Sequence, residues 1–202
     1  YMGLAKLTPN KEEIEANLIA FAENGTKDTR EAAAAGLGRI DSDNARKALR
    51  ELRNSNQPNV QIAALGSEVG FGMAEPRQKL LELILNGKGL DPTVAAASIR
   101  RMPREVAASI TAELIECCEL NSEVGARLLE SWSEIGNPPL KVVDWGFKHK
   151  NSDIKMQAIW LIGRLKINEY TELVTKELES EDSGIATMAA WSLLRILLKI
   201  EE

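Results

Sequence analysis

Apolar residues along this chain recur at helical spacing behind polar or turn-forming caps. The stretch "NSDIKMQAIWLIGRL" (151–165) shows the form: Asn, Ser and Asp open it, and Ile154, Ala158, Leu161, Ile162 and Leu165 then fall on one stripe. Five other segments share it: "KDTREAAAAGLGRI" (27–40), "QPNVQIAALGSEVG" (57–70), "LDPTVAAASIRRM" (90–102), "NSEVGARLLESWSEI" (121–135) and "EDSGIATMAAWSLLRI" (181–196). Aligned on Arg30, Val60, Val94, Val124, Ile154 and Ile185, they step by 30, 34, 30, 30 and 31 residues. Four positions after these anchors stand Ala34, Ala64, Ser98, Leu128, Ala158 and Ala189, small residues in five of six, which let neighbouring helices approach closely.

Shorter amphipathic stretches lie between them, at 10–25, 44–54, 76–87, 104–120, 138–150 and 168–180. Pro76, Pro103 and Pro138 sit at or near helix starts, and Gly25, Asn54 and Gly87 at exits. Each unit therefore reads as an outer helix followed by an inner one, repeated about six times. A period near thirty residues is the mark of a stacked array. The extra residues in the 34-residue step fit a longer loop at 85–92, and no linker is long enough to split the chain, so residues 1–202 are expected to form one domain. The fold expected is all-α, an α-solenoid of about six helical hairpins.

Inner helices that open in this way resemble HEAT-type repeats, in the short variety of phycobilisome lyase subunits and bacterial scaffold proteins. "DTREAAAAGLGRI" (28–40) is the best match, while 121–135 and 181–196 drift from it. The resemblance covers nearly the whole chain. It implies a superhelix and leaves function open, because such a fold hosts many unrelated roles.

Trp160 does not belong to the core stripe of its helix. Gln157, Trp160 and Arg164 form a second stripe, and Met188, Trp191 and Arg195 repeat it 31 residues later. Stacking would set Trp160 beside Trp191 and Arg164 beside Arg195. The matching positions hold Arg127, Glu130 and Glu134 in the fourth unit and Ala97, Arg100 and Arg104 in the third; in the first two they are Gly36, Ile40, Gly66 and Gly70. This line is the candidate binding groove. Tryptophan and arginine supply large contact area and several donors at binding hot spots. Arg100, Arg101, Arg104 and Arg127 are placed to grip carboxylates of a partner. The competing reading is packing, with each indole filling space between inner helices under an arginine lid. Trp132 and Trp145 are expected in the core.

Composition narrows the chemistry. Aromatic residues are 4%, so the core must rest on Ala, Leu, Ile and Val, and a net charge of −5 argues against general nucleic-acid binding. The adjacent Cys117 and Cys118 exclude a disulfide framework and read as a reduced thiol pair, which suits a cytoplasmic protein. Lys6, Lys11, Glu12, Glu13 and Glu15 rule out a signal peptide near the start, and no apolar run approaches a membrane span. The single histidine, His149, makes no zinc set and reads as a solvated helix-end residue. No nucleophile elbow, P-loop or dinucleotide fingerprint occurs, so no catalytic residue, metal or cofactor is expected.

The leading expectation is an interaction scaffold or adaptor that binds a protein on its concave inner-helix face. The alternatives are a HEAT-like DNA glycosylase or nucleic-acid binder, opposed by the net charge and by the lack of an acid in the ladder, and a bilin lyase-like chaperone. The apolar last stretch, with Leu193, Leu194, Leu197, Leu198 and Ile200, points to self-association or to further repeats in a longer chain.

Overall fold

The computed structural model describes residues 10–86, 91–117 and 120–198, without the side chain of Cys117. The Cys117–Cys118 pair, the exit at Gly87 and the rest of 87–90 in the 85–92 loop, Lys6 and Ile200 thus lie outside the described residues. Twelve α-helices and no strands occur among the described residues. They are α1 (Lys11–Asn24), α2 (Lys27–Leu37), α3 (Asp43–Leu52), α4 (Pro58–Gly70), α5 (Ala74–Asn86), α6 (Pro92–Ala97), α7 (Arg104–Cys117), α8 (Ser122–Ile135), α9 (Leu140–Phe147), α10 (Ser152–Leu165), α11 (Thr171–Lys176) and α12 (Ser183–Leu197). None of them is long and apolar enough to cross a membrane.

The even-numbered helices begin where their caps dictate. Thr26, Asp91, Asn121, Asn151 and Asp182 each accept a backbone N–H of the following turn on a side-chain oxygen, satisfying a donor that the first turn leaves open. Gln57 makes no such bond; Pro58 at the first helical position only reduces the open donors by one, because it has no N–H. Counting three residues from each cap reaches Val60, Val94, Val124, Ile154 and Ile185, but in α2 it reaches Thr29. The first anchor therefore moves back by one residue, from Arg30 to Thr29. At the matching positions α2 then presents Ala35 and Arg39, in place of Gly36 and Ile40. Ile40 belongs to the core, where it is buried.

The chain divides into two compact units between Val106 and Ala107. In the first, α2 packs on α4, α1 lies against α2, and α3 and α5 lie against α4. Leu37, Leu49, Leu52, Val60 and Ala64 form the middle of its core, with Leu18, Ile19 and Phe71 packed around them. In the second, α8 packs on α10 and α10 on α12, with α9 against α10 and α11 against α12. Its core centres on Leu128, Trp132, Val143, Ile154, Ile162 and Ile185. Trp132 is fully buried, as expected, and its indole N–H donates to the Thr111 hydroxyl at 3.3 Å.

One contact closes the helix pair in both units. The Ser67 hydroxyl of α4 donates to the Ala34 carbonyl of α2 at 2.9 Å, and the Ser192 hydroxyl of α12 donates to the Ile159 carbonyl of α10 at 2.7 Å. Each serine faces a glycine four residues past its acceptor, Gly38 or Gly163. A Cβ on Gly38 would collide with the Ser67 hydroxyl, and one on Gly163 would lie 2.5 Å from the Ser192 Cα. The two clasps are the same motif displaced by 125 residues, from Ala34 to Ile159, Gly38 to Gly163 and Ser67 to Ser192. Glycine is required there by the close approach of backbones, not by its dihedral freedom.

Candidate partner-binding face

Helices α10 and α12 run alongside each other in the same sense. Gly184, near the start of α12, lies against Met156 early in α10, and Ser192, further on, lies against Gly163. Equivalent positions 31 residues apart on these helices carry Trp160 with Arg164 and Trp191 with Arg195. Both indoles and both guanidiniums are half-buried, as are Gln157 and Met188 one turn earlier. The Arg164 guanidinium carbon stands 5.9 Å from the centre of the Trp160 ring, and that of Arg195 stands 5.2 Å from the Trp191 ring. These are cation–π distances within one helix, set by the i, i+4 spacing. The indoles are thus neither sealed in the core nor fully exposed.

The rest of the sequence-predicted line is less uniform. Arg127 on α8 is half-buried and forms an ion pair with Glu130, the residue one turn later on the same line. Its charge is answered within its own helix. Arg101 is bound to Glu31 at 3.0 Å. Arg100 is exposed, but it belongs to a short 3₁₀ segment, Ser98–Arg101, that follows α6.

Arg104 requires a correction. It was expected on the third inner helix, four residues after Arg100, and is instead the exposed first residue of α7. Pro103 is the cause. A proline disfavours the helical conformation in the residue before it, and Met102 accordingly adopts φ −91° and ψ 159°. The helical run that starts at Pro92 therefore stops at Arg101, before a second stripe can form.

Trp145 is the second correction. It was expected in the core, yet it is half-buried and lines a groove of about 560 Å³ together with Ile115, Glu116, Lys141, Asp144, Lys148, His149 and Lys150. His149 does follow the end of α9, but half-buried, not solvated, in a T-shaped contact with Trp145 at 5.2 Å between ring centres. Two sequence signals mark this place: the i, i+4 spacing of Trp145 and His149, and three lysines within ten residues of an acidic chain.

The end of α12 leaves Leu194, Leu197 and Leu198 exposed, while Leu193 and Ile196 are buried. No group of three or more His, Cys, Asp or Glu side chains among the described residues is arranged to hold a metal ion.

No protein-family model and no curated protein matches the chain. Among solved structures, the crystal structure of an engineered protein is similar at a TM-score of 0.40 and 18% identity. The similarity covers 92% of this chain and 58% of the engineered one, so the chain spans less than two thirds of that protein.

Proposed function

We propose that the chain is a protein-interaction module, a HEAT-like α-solenoid that works as a cytoplasmic scaffold or adaptor and captures a partner segment on the Trp160/Arg164 and Trp191/Arg195 face. One observation carries this reading. Helices α2 and α4 close with the same serine–carbonyl clasp as α10 and α12, yet α2 carries Ala35 and α4 carries Gly66 where α10 and α12 carry tryptophan. Closing a pair of inner helices therefore needs no indole. Two large side chains that the clasp does not require, each half-exposed and each topped by a guanidinium, are suited to contact with something else. The indole faces supply stacking and apolar area, and the arginines supply donors for carboxylates. The partner chemistry that fits is an extended segment with apolar or aromatic anchors and acidic flanks.

The alternatives from the enzyme class lack such support: the ladder positions Gln157, Trp160, Arg164, Met188, Trp191 and Arg195 include no acid, and the net charge of −5 opposes a nucleic acid. The exposed leucines of α12 favour a secondary role in self-association, which light scattering over a concentration series would detect.

Selection of displayed random peptides on the immobilised chain tests the main reading. Enriched peptides should pair acidic with apolar residues and lose binding to the Trp160→Ala/Trp191→Ala variant. Peptides whose binding is indifferent to that variant would overturn the assignment of the face.

A further inference from the structure

We infer that the groove beside Trp145 is a second binding site, for a small aromatic carboxylate with a planar apolar body and one negative charge. This inference does not rest on the Trp160/Trp191 face. The groove's volume of about 560 Å³ is in the range of small-molecule pockets, roughly 300–1,000 Å³.

Its flat wall is held in place. One edge of the Trp145 indole abuts Gly125 of α8, where an added Cβ would lie 3.1 Å from the ring's Cη2 atom. His149 meets the same indole at 60° between planes. A ring fixed on two sides is a preorganised surface on which another planar ring can stack, and Ile115 adds apolar lining.

The charges select the ligand's sign. Both carboxylates of the lining are already engaged. Glu116 is paired with Lys141, and Asp144 accepts the Tyr170 O–H at 2.7 Å and lies 4.0 Å from the Lys148 ammonium. The His149 Nδ1 accepts the Asn151 backbone N–H at 3.0 Å, so the neutral ring carries its proton on Nε2 and has a donor left. Three lysines against two engaged carboxylates leave a surplus of one positive charge, with Lys150 exposed at the rim. What remains to be satisfied is cationic and donating. A single carboxylate answers it with charge-assisted hydrogen bonds, whereas a ligand cation would meet the wrong sign and a polyphosphate would bring more charge than the surplus offsets.

Calorimetric titration of the full chain with 2-naphthoate and with uncharged 2-naphthamide tests the site. The acid should bind saturably, one per chain, and at least about tenfold more tightly than the amide. Trp145→Phe should retain most of the affinity because a flat wall remains, and Trp145→Ala should abolish it. Lys148→Ala/Lys150→Ala should erase the preference for acid over amide. In ¹⁵N-labelled protein the Trp145 indole N–H signal should move on titration, a readout that survives even where Trp145→Ala fails to fold. The inference is overturned by no saturation up to millimolar 2-naphthoate, by equal affinity for acid and amide, or by shifts at the Trp160 and Trp191 indoles in place of Trp145.

Discussion

The pairs α2/α4 and α10/α12 are built on one plan and finished differently. Both close through a serine on the later helix that donates to a carbonyl on the earlier one, with a glycine beneath the serine. At the positions beside that seam they diverge: Ala35 and Gly66 in one, Trp160 and Trp191 in the other. Gly66 lies against Ser98, so an indole there has no room. The seam is therefore common to both pairs, while the position beside it is covered at Gly66 of α4 and half-exposed at Trp160 and Trp191.

Each of four perturbations breaks or sharpens that contrast. The largest effect is expected on binding. With each indole a hot spot worth about 2 kcal/mol or more, Trp160→Ala/Trp191→Ala should weaken a selected peptide by about a thousandfold in calorimetry. Ala35→Ser, at the matching place in α2, should leave that affinity unchanged.

The seam itself comes next. Gly163→Ala drives a methyl into the Ser192 backbone and should cost about 1–3 kcal/mol in urea unfolding, even against the better helix propensity of alanine. Gly38→Ala meets a serine side chain first, so Ser67→Gly should relieve it, while Ser192→Gly should not relieve Gly163→Ala.

The clasp hydrogen bonds should matter less and equally. Ser67→Ala and Ser192→Ala each remove one donor to a carbonyl at matched positions, about 1 kcal/mol apiece. A large difference between them in denaturant midpoint would show that the two seams are not equivalent.

The smallest effect is specific to the first unit. Glu68 of α4 is fully buried, and loss of hydration raises its carboxyl above the ordinary value of 4.5, with the nearby Arg53 charge opposing the rise. Native Glu68 thus holds its proton more tightly than the unfolded chain does. Its contribution to stability is complete below the unfolded value and is lost as pH rises through the raised native one. Glu68→Gln should therefore gain stability relative to the parent as pH rises across that window, as thermal melts at several pH values would record. Nothing in the second unit's clasp shares this dependence.

Much of the fold was legible in the linear pattern, because helix starts are local chemistry. Asn151 before Ile154 and Asp182 before Ile185 cap their helices through side chains only two or three residues away. The register of α2 was read one residue late because both Thr29 and Arg30 satisfy a helical pattern, and only the Thr26 cap decides between them. Arg104 was misplaced because the stripe was extended through Pro103, whose effect on Met102 ends the helical run that starts at Pro92. The clasp was not legible at all: a serine and a glycine 29 residues apart, as in Gly38 and Ser67, meet only once the helices are stacked. Trp145 was misread for a related reason. An apolar residue at helical spacing declares that it faces a neighbour, but whether that neighbour covers the ring depends on Gly125, from another helix.

The central claim is that α10 and α12 stay packed without their tryptophans, as α2 and α4 do. Equilibrium urea unfolding of Trp160→Ala/Trp191→Ala measures this directly. The account predicts a single cooperative transition destabilised by less than about 3 kcal/mol, below what two fully buried aromatic rings would cost. A loss of about 6–10 kcal/mol, or the disappearance of the transition, would show that the indoles hold the pair together and would contradict it.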